Sequence, residues 1–315
     1  MTTCFPGYHA AIEEIAEGFM LLRQLMLALG GLVLALAARA ETVQLASVYA
    51  AVAPLHGGAV LVDKHADRQV PIASITKLMT AMVVLDAGQD MDEWLLVRPR
   101  EQQLGKTAWT RMRNGSEIRR KDLLHIALMA SENIACDVLA RHYPGGLPAF
   151  VEAMNAKART LGMRDTVFFD PAGLSPNNRA TAEDLVKMVR AAYGYERIRE
   201  WTTSSWHQVT FRKPRYQLQY GNTNPLVRSG RWDVSLSKTG YLSEAGRCLV
   251  MVADVGGEPT VMVLLDSLGT RSPVGDAARV RRWLENGDPG TIAVAARNYE
   301  RERSAAYRAD TVSQN

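Results

Sequence analysis

The apolar residues of the chain form strand-like runs near both ends and helix-like patterns between them. Two apolar runs lie within residues 43–62, separated by Pro54 and by Gly57-Gly58, and they predict the two strands of a hairpin. Short apolar or alternating runs return late in the chain and predict further strands at residues 234–238, 248–255 and 260–266. Gly256-Gly257-Glu258-Pro259 predicts the turn between the last two.

The middle of the chain, from about residue 92 to residue 200, has apolar residues at helical spacing. It predicts helical structure over residues 118–143, 148–161 and 181–193, and a last amphipathic helix follows at 277–284. Thr181 begins a capping box, and Asp170–Leu174 reads as a turn. Strands from both ends with helices between them predict an α/β (α+β) fold, in which helices flank an antiparallel sheet and form an inserted all-helical subdomain.

The N-terminal pattern predicts export. Met20–Arg23 is a short basic segment, Leu25–Ala37 is apolar, and Ala38-Arg39-Ala40 fits a cleavage site, so residues 20–40 predict a signal peptide. Residues 1–19 are acidic and are interpreted as a mis-called leader. An uncleaved N-terminal anchor is the alternative. We expect a domain over residues 41–290, with its helical insertion at about 92–200, and a polar, mobile tail over 291–315.

Composition narrows the range of partners. The formal net charge of +4 suits a protein that works near an anionic polymer. Nucleic acid is not expected, because basic and aromatic residues do not interleave. The six histidines lack metal-binding spacing, so we expect no metal and no cofactor. Without the leader, Cys136 and Cys248 remain in apolar stretches; two buried thiols are favoured over a disulfide.

The clearest chemical motif is Ser74-Ile75-Thr76-Lys77 at the start of an apolar helix that follows Pro71. Residues three apart share a helix face, so the Lys77 amine can reach the Ser74 hydroxyl. Burial would lower the pKa of the amine and allow it to act as a base. The same spacing recurs at Ser235–Lys238, but that run reads as a strand, where positions three apart face opposite ways.

Two further motifs follow in order. Ser131-Glu132-Asn133 interrupts the helical stretch, and Lys238-Thr239-Gly240 ends a predicted strand. A second Ser-x-Asn, at Ser175–Asn177, lies in a loop rich in proline and asparagine. The ordered trio is typical of penicillin-binding proteins and related β-lactamases.

Beyond these motifs, residues 59–287 resemble the low-molecular-mass penicillin-binding proteins, the serine D-alanyl-D-alanine peptidases, and in particular their type-7 endopeptidases. The resemblance is dense in several short stretches: Pro71–Leu85, Ala127–Asn133, His142–Gly146, Met154–Ala158, Leu161–Met163, Pro171–Leu174 and Lys238–Gly240. It implies the penicillin-recognising serine-transferase fold and hydrolysis of peptidoglycan cross-links in the periplasm, with stem peptides as substrates and β-lactams as covalent inhibitors.

The resemblance also implies a role for each matching residue. Ser74 would be the nucleophile and Lys77 its base, Ser131 would relay a proton to the leaving nitrogen, and Asn133 would hold the substrate and Lys77. The strand residues would bind substrate: Lys238, Thr239, Gly240 and Tyr241. The backbone N–H groups of Ser74 and Tyr241 would form the oxyanion hole.

Several alternatives remain open at this stage. Asn133 could instead cap the helix after it, and Arg271 could bind a substrate carboxylate or lie idle on the surface. Glu132 is expected to face solvent or to make a surface ion pair, and His125 to be a satisfied core histidine rather than a ligand. A β-lactamase on the same fold would require a glutamate that activates water, and Glu152 fits that role poorly. A non-catalytic module that senses β-lactam or wall peptide is the remaining alternative.

Overall fold

A computed structural model of the chain describes residues 42–98 and 109–313, with side chains as far as residue 309. The predicted leader and signal peptide, residues 1–40, lie outside these described residues. None of the described helices is long and apolar enough to cross a membrane.

The central sheet joins the two ends of the chain. Its strands are β1 (Tyr49–Pro54), β2 (Val62–Lys64), β9 (Val234–Leu242), β10 (Gly246–Val255) and β11 (Glu258–Ser267), in the order β2-β1-β11-β10-β9. All neighbouring pairs are antiparallel, and β1 lies against β11 with Tyr49 opposite Leu265. The predicted sheet is therefore confirmed, and β9 is one of its edges.

Nine helices occur among the described residues, where the pattern predicted most of them. They are α1 (Lys77–Asp86), α2 (Arg120–Met129), α3 (Asn133–Arg141), α4 (Gly146–Thr160), α5 (Ala182–Tyr193), α6 (Glu196–Thr203), α7 (Pro225–Ser229), α8 (Ser272–Asn286) and α9 (Val294–Ser313). The Thr181 hydroxyl caps α5 by accepting a hydrogen bond from the Asp184 N–H, as the capping pattern predicts.

The inserted region is not all-helical. Three short antiparallel pairs lie in or beside it: β3 (Val70–Pro71) with β6 (Arg179–Ala180), β4 (Trp94–Leu96) with β5 (Glu117–Arg119), and β7 (Trp206–Phe211) with β8 (Tyr216–Gly221). Runs of two or three residues are too short to show a period of two, so the sequence pattern missed β3 to β6.

Apolar residues are buried on both faces of the sheet. The larger cluster includes Met79 and Met82 of α1 together with Phe150 of α4, and the smaller one lies between the sheet and α8. Cys136 and Cys248 are free, buried thiols, and this confirms the expectation against a disulfide. Burial raises the pKa of the Cys136 thiol to about 11.

The C-terminal segment differs from the expected mobile tail. It forms α9, whose Tyr299 and Tyr307 side chains pack against the larger core. Asp266, buried at the end of β11, accepts hydrogen bonds from Tyr299 Oη at 2.6 Å and from Arg303 Nε at 2.6 Å. The sequence pattern did not predict that α9 packs on the core, because its contacts come from two tyrosines and an arginine rather than from an apolar stripe.

Candidate active site

Ser74 and Lys77 meet at the start of α1, as the spacing predicts. A 3-10 turn over Ala73–Thr76 leads directly into the helix at Lys77. The side chain of Lys77 is buried, with only 1% of its surface exposed, and its Nζ donates a hydrogen bond to Ser74 Oγ at 2.8 Å. The apolar helix therefore desolvates the amine beside the hydroxyl.

Two more acceptors hold the Lys77 amine in place. Nζ also donates to Asn133 Oδ1 at 2.8 Å and to the Ala172 carbonyl oxygen at 2.6 Å. Asn133 is the first residue of α3, but its side chain points to Lys77; the helix is capped by Glu132, whose Oε1 accepts from Ile134 N. The alternative in which Asn133 is the cap is therefore wrong.

The turn around Asp170 fixes the position of Ala172. Asp170 is fully buried, and its Oδ1 accepts hydrogen bonds from the backbone N–H groups of Ala172, Gly173 and Leu174. Gly173 has a φ of 75°, and a Cβ at this position would overlap the Ala73 carbonyl. The sequence indicated this turn, but it gave no sign that the Ala172 carbonyl would contact Lys77.

Ser131 lies between α2 and α3 in a strained backbone conformation, with a φ of 61°. Such a value is uncommon for a residue other than glycine, and it clusters at functional sites. The Ser131 Oγ accepts a hydrogen bond from Lys238 Nζ at 2.9 Å, and the same amine donates to the Thr239 carbonyl at 2.8 Å. Burial, and then the charge of Lys77, hold the pKa of Lys238 well below its usual value.

Glu132 does not face solvent as expected. Besides capping α3, its carboxylate accepts a hydrogen bond from Thr110. The positive charges of Lys77 and Arg111 also attract this carboxylate. Burial nevertheless raises its pKa. The motif position between Ser131 and Asn133 thus carries a half-buried acid that ties the motif to the segment at Thr110.

Strand β9 passes close to Ser74 along one side of this cluster. A Cβ on Gly240 would lie 3.1 Å from Ser74 N and 3.2 Å from Ala73 Cβ, so only glycine gives the strand this approach without displacement. Tyr241 follows with 52% of its surface exposed, and the Arg247 guanidinium lies 3.9 Å from the centre of its ring. The Thr239 hydroxyl lies 2.7 Å from that of Thr223.

The serines of the two repeated motifs, Ser235 and Ser175, lie outside this cluster and are called the decoy serines here. Ser235 Oγ donates to the Val252 carbonyl at 3.4 Å, as expected for a strand residue facing away from Lys238. Ser175 is held in the Asp170 turn through its N–H, and its Oγ accepts from Asn177 N at 3.2 Å. Neither decoy serine has a hydrogen bond to a lysine among the described residues.

Other candidate residues are also placed by the structure. Arg271 is exposed at the N-terminus of α8, and Glu152 is exposed on α4. His125 is a buried core residue, as expected, and it packs against Trp201 and His207. The expectation that its ring is satisfied is wrong, because Nε2 has no hydrogen-bond partner in the described part of the chain. Burial lowers its pKa to about 3. Residues 42–98 and 109–313 contain no metal-binding group of three His, Cys, Asp or Glu.

Known proteins with similar sequences act on D-alanyl-D-alanine, according to their names. A family model described as D-alanyl-D-alanine carboxypeptidase matches residues 36–269. A D-alanyl-D-alanine endopeptidase of Pseudomonas aeruginosa is 45% identical over 82% of this chain and 84% of its own length. One from Escherichia coli is 43% identical over 86% and 87%, respectively.

Solved structures give the same picture of the fold. A DD-transpeptidase from Streptomyces has a TM-score of 0.70 at 24% identity, covering 76–77% of this chain and 98% of its own. A penicillin-binding protein from Listeria monocytogenes, determined in an ampicillin-bound form, has a TM-score of 0.66 at 28% identity, covering 78% and 98%.

Proposed function

From the premise that the chain belongs to the D-alanyl-D-alanine carboxypeptidase family and is a serine hydrolase, we propose that it cleaves peptidoglycan cross-links through an acyl-enzyme on Ser74. Two relatives at 45% and 43% identity are named endopeptidases, and this favours cross-links over terminal D-alanine as the substrate. The contact of Lys77 Nζ with both Ser74 Oγ and Asn133 Oδ1 is the observation that supports the proposal most strongly.

Acylation would begin with proton transfer from Ser74 Oγ to the neutral amine of Lys77. Oγ then forms a bond to the D-alanyl carbonyl carbon, and the C–N bond to the leaving amine breaks. The proton that Lys77 took from Ser74 would pass through the Ser131 hydroxyl to that nitrogen, and this returns Lys77 to its neutral form for deacylation. Lys238 Nζ, which donates to Ser131 Oγ at 2.9 Å, would orient the hydroxyl. Like-charge repulsion opposes both buried amines being charged at once, and in this proposal Lys77 is the neutral one.

The oxyanion of the tetrahedral intermediate would be bound by the backbone N–H groups of Ser74 and Tyr241. The close approach of Gly240 to Ser74 N supports this pairing, because Tyr241 is the next residue of the same strand. Since β9 is a sheet edge, the substrate backbone would add beside it as an extra strand.

Deacylation requires a water that attacks the ester carbonyl. The amine of Lys77 would accept its proton, and Ser74 Oγ would leave as the restored hydroxyl. A β-lactam carbonyl would enter the same sequence and leave a long-lived ester on Ser74. The ampicillin-bound state of the Listeria relative supports that expectation.

The predicted signal peptide at residues 20–40 supports the periplasm as the site of action, and peptidoglycan stem peptides as the substrates. The relatives from Pseudomonas and Escherichia are bacterial enzymes named for D-alanyl-D-alanine, a part of these stem peptides.

The test is to follow the intact mass of the chain from Glu41 during incubation with a penicillin, and then to digest cross-linked muropeptides. A persistent adduct on Ser74 together with cleavage of the cross-link is expected, and Ser74→Ala should lose both. Ser235→Ala, at a decoy serine, is the matched control and should retain both. Penicillin consumed without a lasting adduct would instead indicate a β-lactamase, and neither adduct nor consumption would indicate a binding module.

A further inference from the structure

We propose that the outward face of the β7–β8 hairpin binds the sugar rings of the glycan strand that carries the cross-linked peptides. The inference deepens the proposed function and rests on it, because it assigns a second part of the same polymer to a second surface. The surface, called the hairpin platform here, consists of the six outward positions of the two strands: Trp206, Gln208, Thr210, Gln217, Gln219 and Gly221.

Trp206 is the aromatic part of the platform. Its side chain is 64% exposed, which is unusual for so large an apolar group. It is paired across the hairpin with Gly221. A Cβ on Gly221 would lie 2.8 Å from the Cζ3 atom of the indole and 3.2 Å from Cη2, so the ring lies over the glycine backbone. The absence of a side chain at 221 therefore seats the indole, while most of its surface remains open to solvent.

The rest of the platform is polar and uncharged. Gln208 Nε2 donates to Gln217 Oε1 at 2.9 Å, and Gln217 Nε2 donates to the Thr210 hydroxyl at 3.2 Å. Gln219 lies opposite Gln208. The inward positions of the same strands hold buried side chains such as Val209 and Phe211, so the alternation separates a packed face from an open one.

This combination of groups is suited to a carbohydrate. A pyranose ring offers apolar C–H faces that stack on an indole, and hydroxyl and acetamido groups that bond to amides and hydroxyls. An acidic peptide would call for cations, which none of the six positions supplies. A protein partner would call for a larger apolar patch than one indole. Charge neutrality therefore favours the sugar chain over the peptide.

The platform is continuous with the active site. Strand β8 ends at Gly221, and two residues later the N–H of Thr223 donates to the Met129 carbonyl at 3.1 Å, at the end of α2. The Thr223 hydroxyl lies 2.7 Å from that of Thr239, in the strand proposed to bind substrate. Two residues of chain span at most about 7 Å. A polymer with its peptide at β9 would thus have its sugars within reach of Trp206.

The test compares two substrates that share one cross-link, a muropeptide dimer that keeps its disaccharides and the same dimer with the sugars removed. Trp206→Ala should lower kcat/KM on the sugar-bearing dimer by about threefold to tenfold, through KM, because one stacking contact is lost. It should leave kcat/KM on the sugar-free dimer and the rate of penicillin acylation unchanged. Trp206→Phe should retain most of the activity, since a ring remains.

Two further variants complete the design. Gly221→Ala should behave like Trp206→Ala, because the added methyl displaces the indole. Val60→Ala removes an exposed apolar side chain beside β2, at the opposite edge of the sheet, and should change neither rate. Wild-type protein, but not Trp206→Ala, should be retarded on immobilised glycan strands stripped of peptide.

The outcomes separate the inference from the proposed function. An equal loss on both dimers would mean that Trp206 supports the active site itself, and unchanged rates on both would mean that sugars are not bound there; either result overturns the hairpin platform. If wild-type protein neither cleaves a dimer nor forms a penicillin adduct, the proposed function fails instead. In that case, retention on peptide-free glycan strands would still decide whether the platform binds sugars.

Discussion

Lys238 Nζ donates a hydrogen bond to Ser131 Oγ over 2.9 Å and so joins two residues that are 107 positions apart in the chain. The amine is almost fully buried, and its pKa is lowered by that burial and by Lys77. A buried amine with a lowered pKa costs folding free energy, because the unfolded chain solvates the ammonium better. The role proposed for Lys238 therefore comes at a cost in folding stability.

We expect Lys238→Met to stabilise the fold by about 1 kcal/mol while it lowers the rate of penicillin acylation. The cost of Lys238 is fully present below its lowered pKa. As the pH rises from there toward the ordinary lysine value, the folded protein loses this proton before the unfolded chain does, and the advantage of the variant shrinks. Denaturant unfolding at neutral and at alkaline pH measures this; a variant less stable than wild type at neutral pH would contradict it.

Lys77→Arg should lower the penicillin acylation rate by about 10²- to 10⁴-fold, the usual contribution of a general base. Arginine keeps the positive charge but does not release its proton, so it cannot serve as the base. The acylation rate of Lys77→Ala should fall equally far. Because alanine is smaller than lysine, this variant separates the loss of the base from crowding by a larger side chain. Lys187→Arg, at an exposed lysine of α5, is the control. Adduct formation followed by mass would refute the assignment if Lys77→Arg reacted at the wild-type rate.

Gly240→Ala should impair acylation although it is a conservative change. The new methyl would lie 3.1 Å from Ser74 N and would push β9 away from the nucleophile. We expect a fall of about tenfold or more, since small misplacements at a reacting centre are costly. Gly275→Ala on α8 meets only ordinary contacts, beginning at 3.6 Å from Arg279, and should acylate normally. Equal rates for the two variants would show that the approach of β9 to Ser74 is not required.

Arg303→Ala should lower the free energy of unfolding by about 1–3 kcal/mol, because it removes a charged partner from the buried Asp266 carboxylate. Burial already raises the pKa of Asp266, and the hydrogen bonds from Tyr299 and Arg303 oppose that rise. In the variant this pKa should rise further, so the stability that is lost at neutral pH should return on acidification.

Adding Asp266→Asn to Arg303→Ala removes the uncompensated charge and should recover part of the lost stability. Arg301→Ala, at an exposed position of the same helix, is the matched control and should change the free energy of unfolding little. Chemical unfolding of wild type, of the single variants Arg303→Ala and Asp266→Asn, and of the double variant gives the coupling between the two residues. No coupling would mean that α9 is only loosely attached to β11.

Local spacing was enough to determine the first part of the site. Ser74 and Lys77 are one helical turn apart, and the apolar run behind them predicts both the helix and the burial of the amine. The strand alternation of residues 234–238 likewise predicted that Ser235 and Lys238 face opposite sides of the strand. The capping pattern at Thr181 predicted the start of α5. These features depend on side-chain periods of 3.6 residues in helices and 2 residues in strands, and both can be recognised from the order of residues alone.

Tertiary structure decided the contacts between distant residues. The Ala172 carbonyl reaches Lys77 only because the Asp170 carboxylate shapes a turn far along the chain. Glu132 faces Thr110 instead of solvent, and α9 docks on Asp266 through residues that form no apolar stripe. Such contacts depend on how packed elements meet rather than on periodicity along one element. The sequence therefore determined which groups are proposed to do the chemistry, and packing decided what holds them in position.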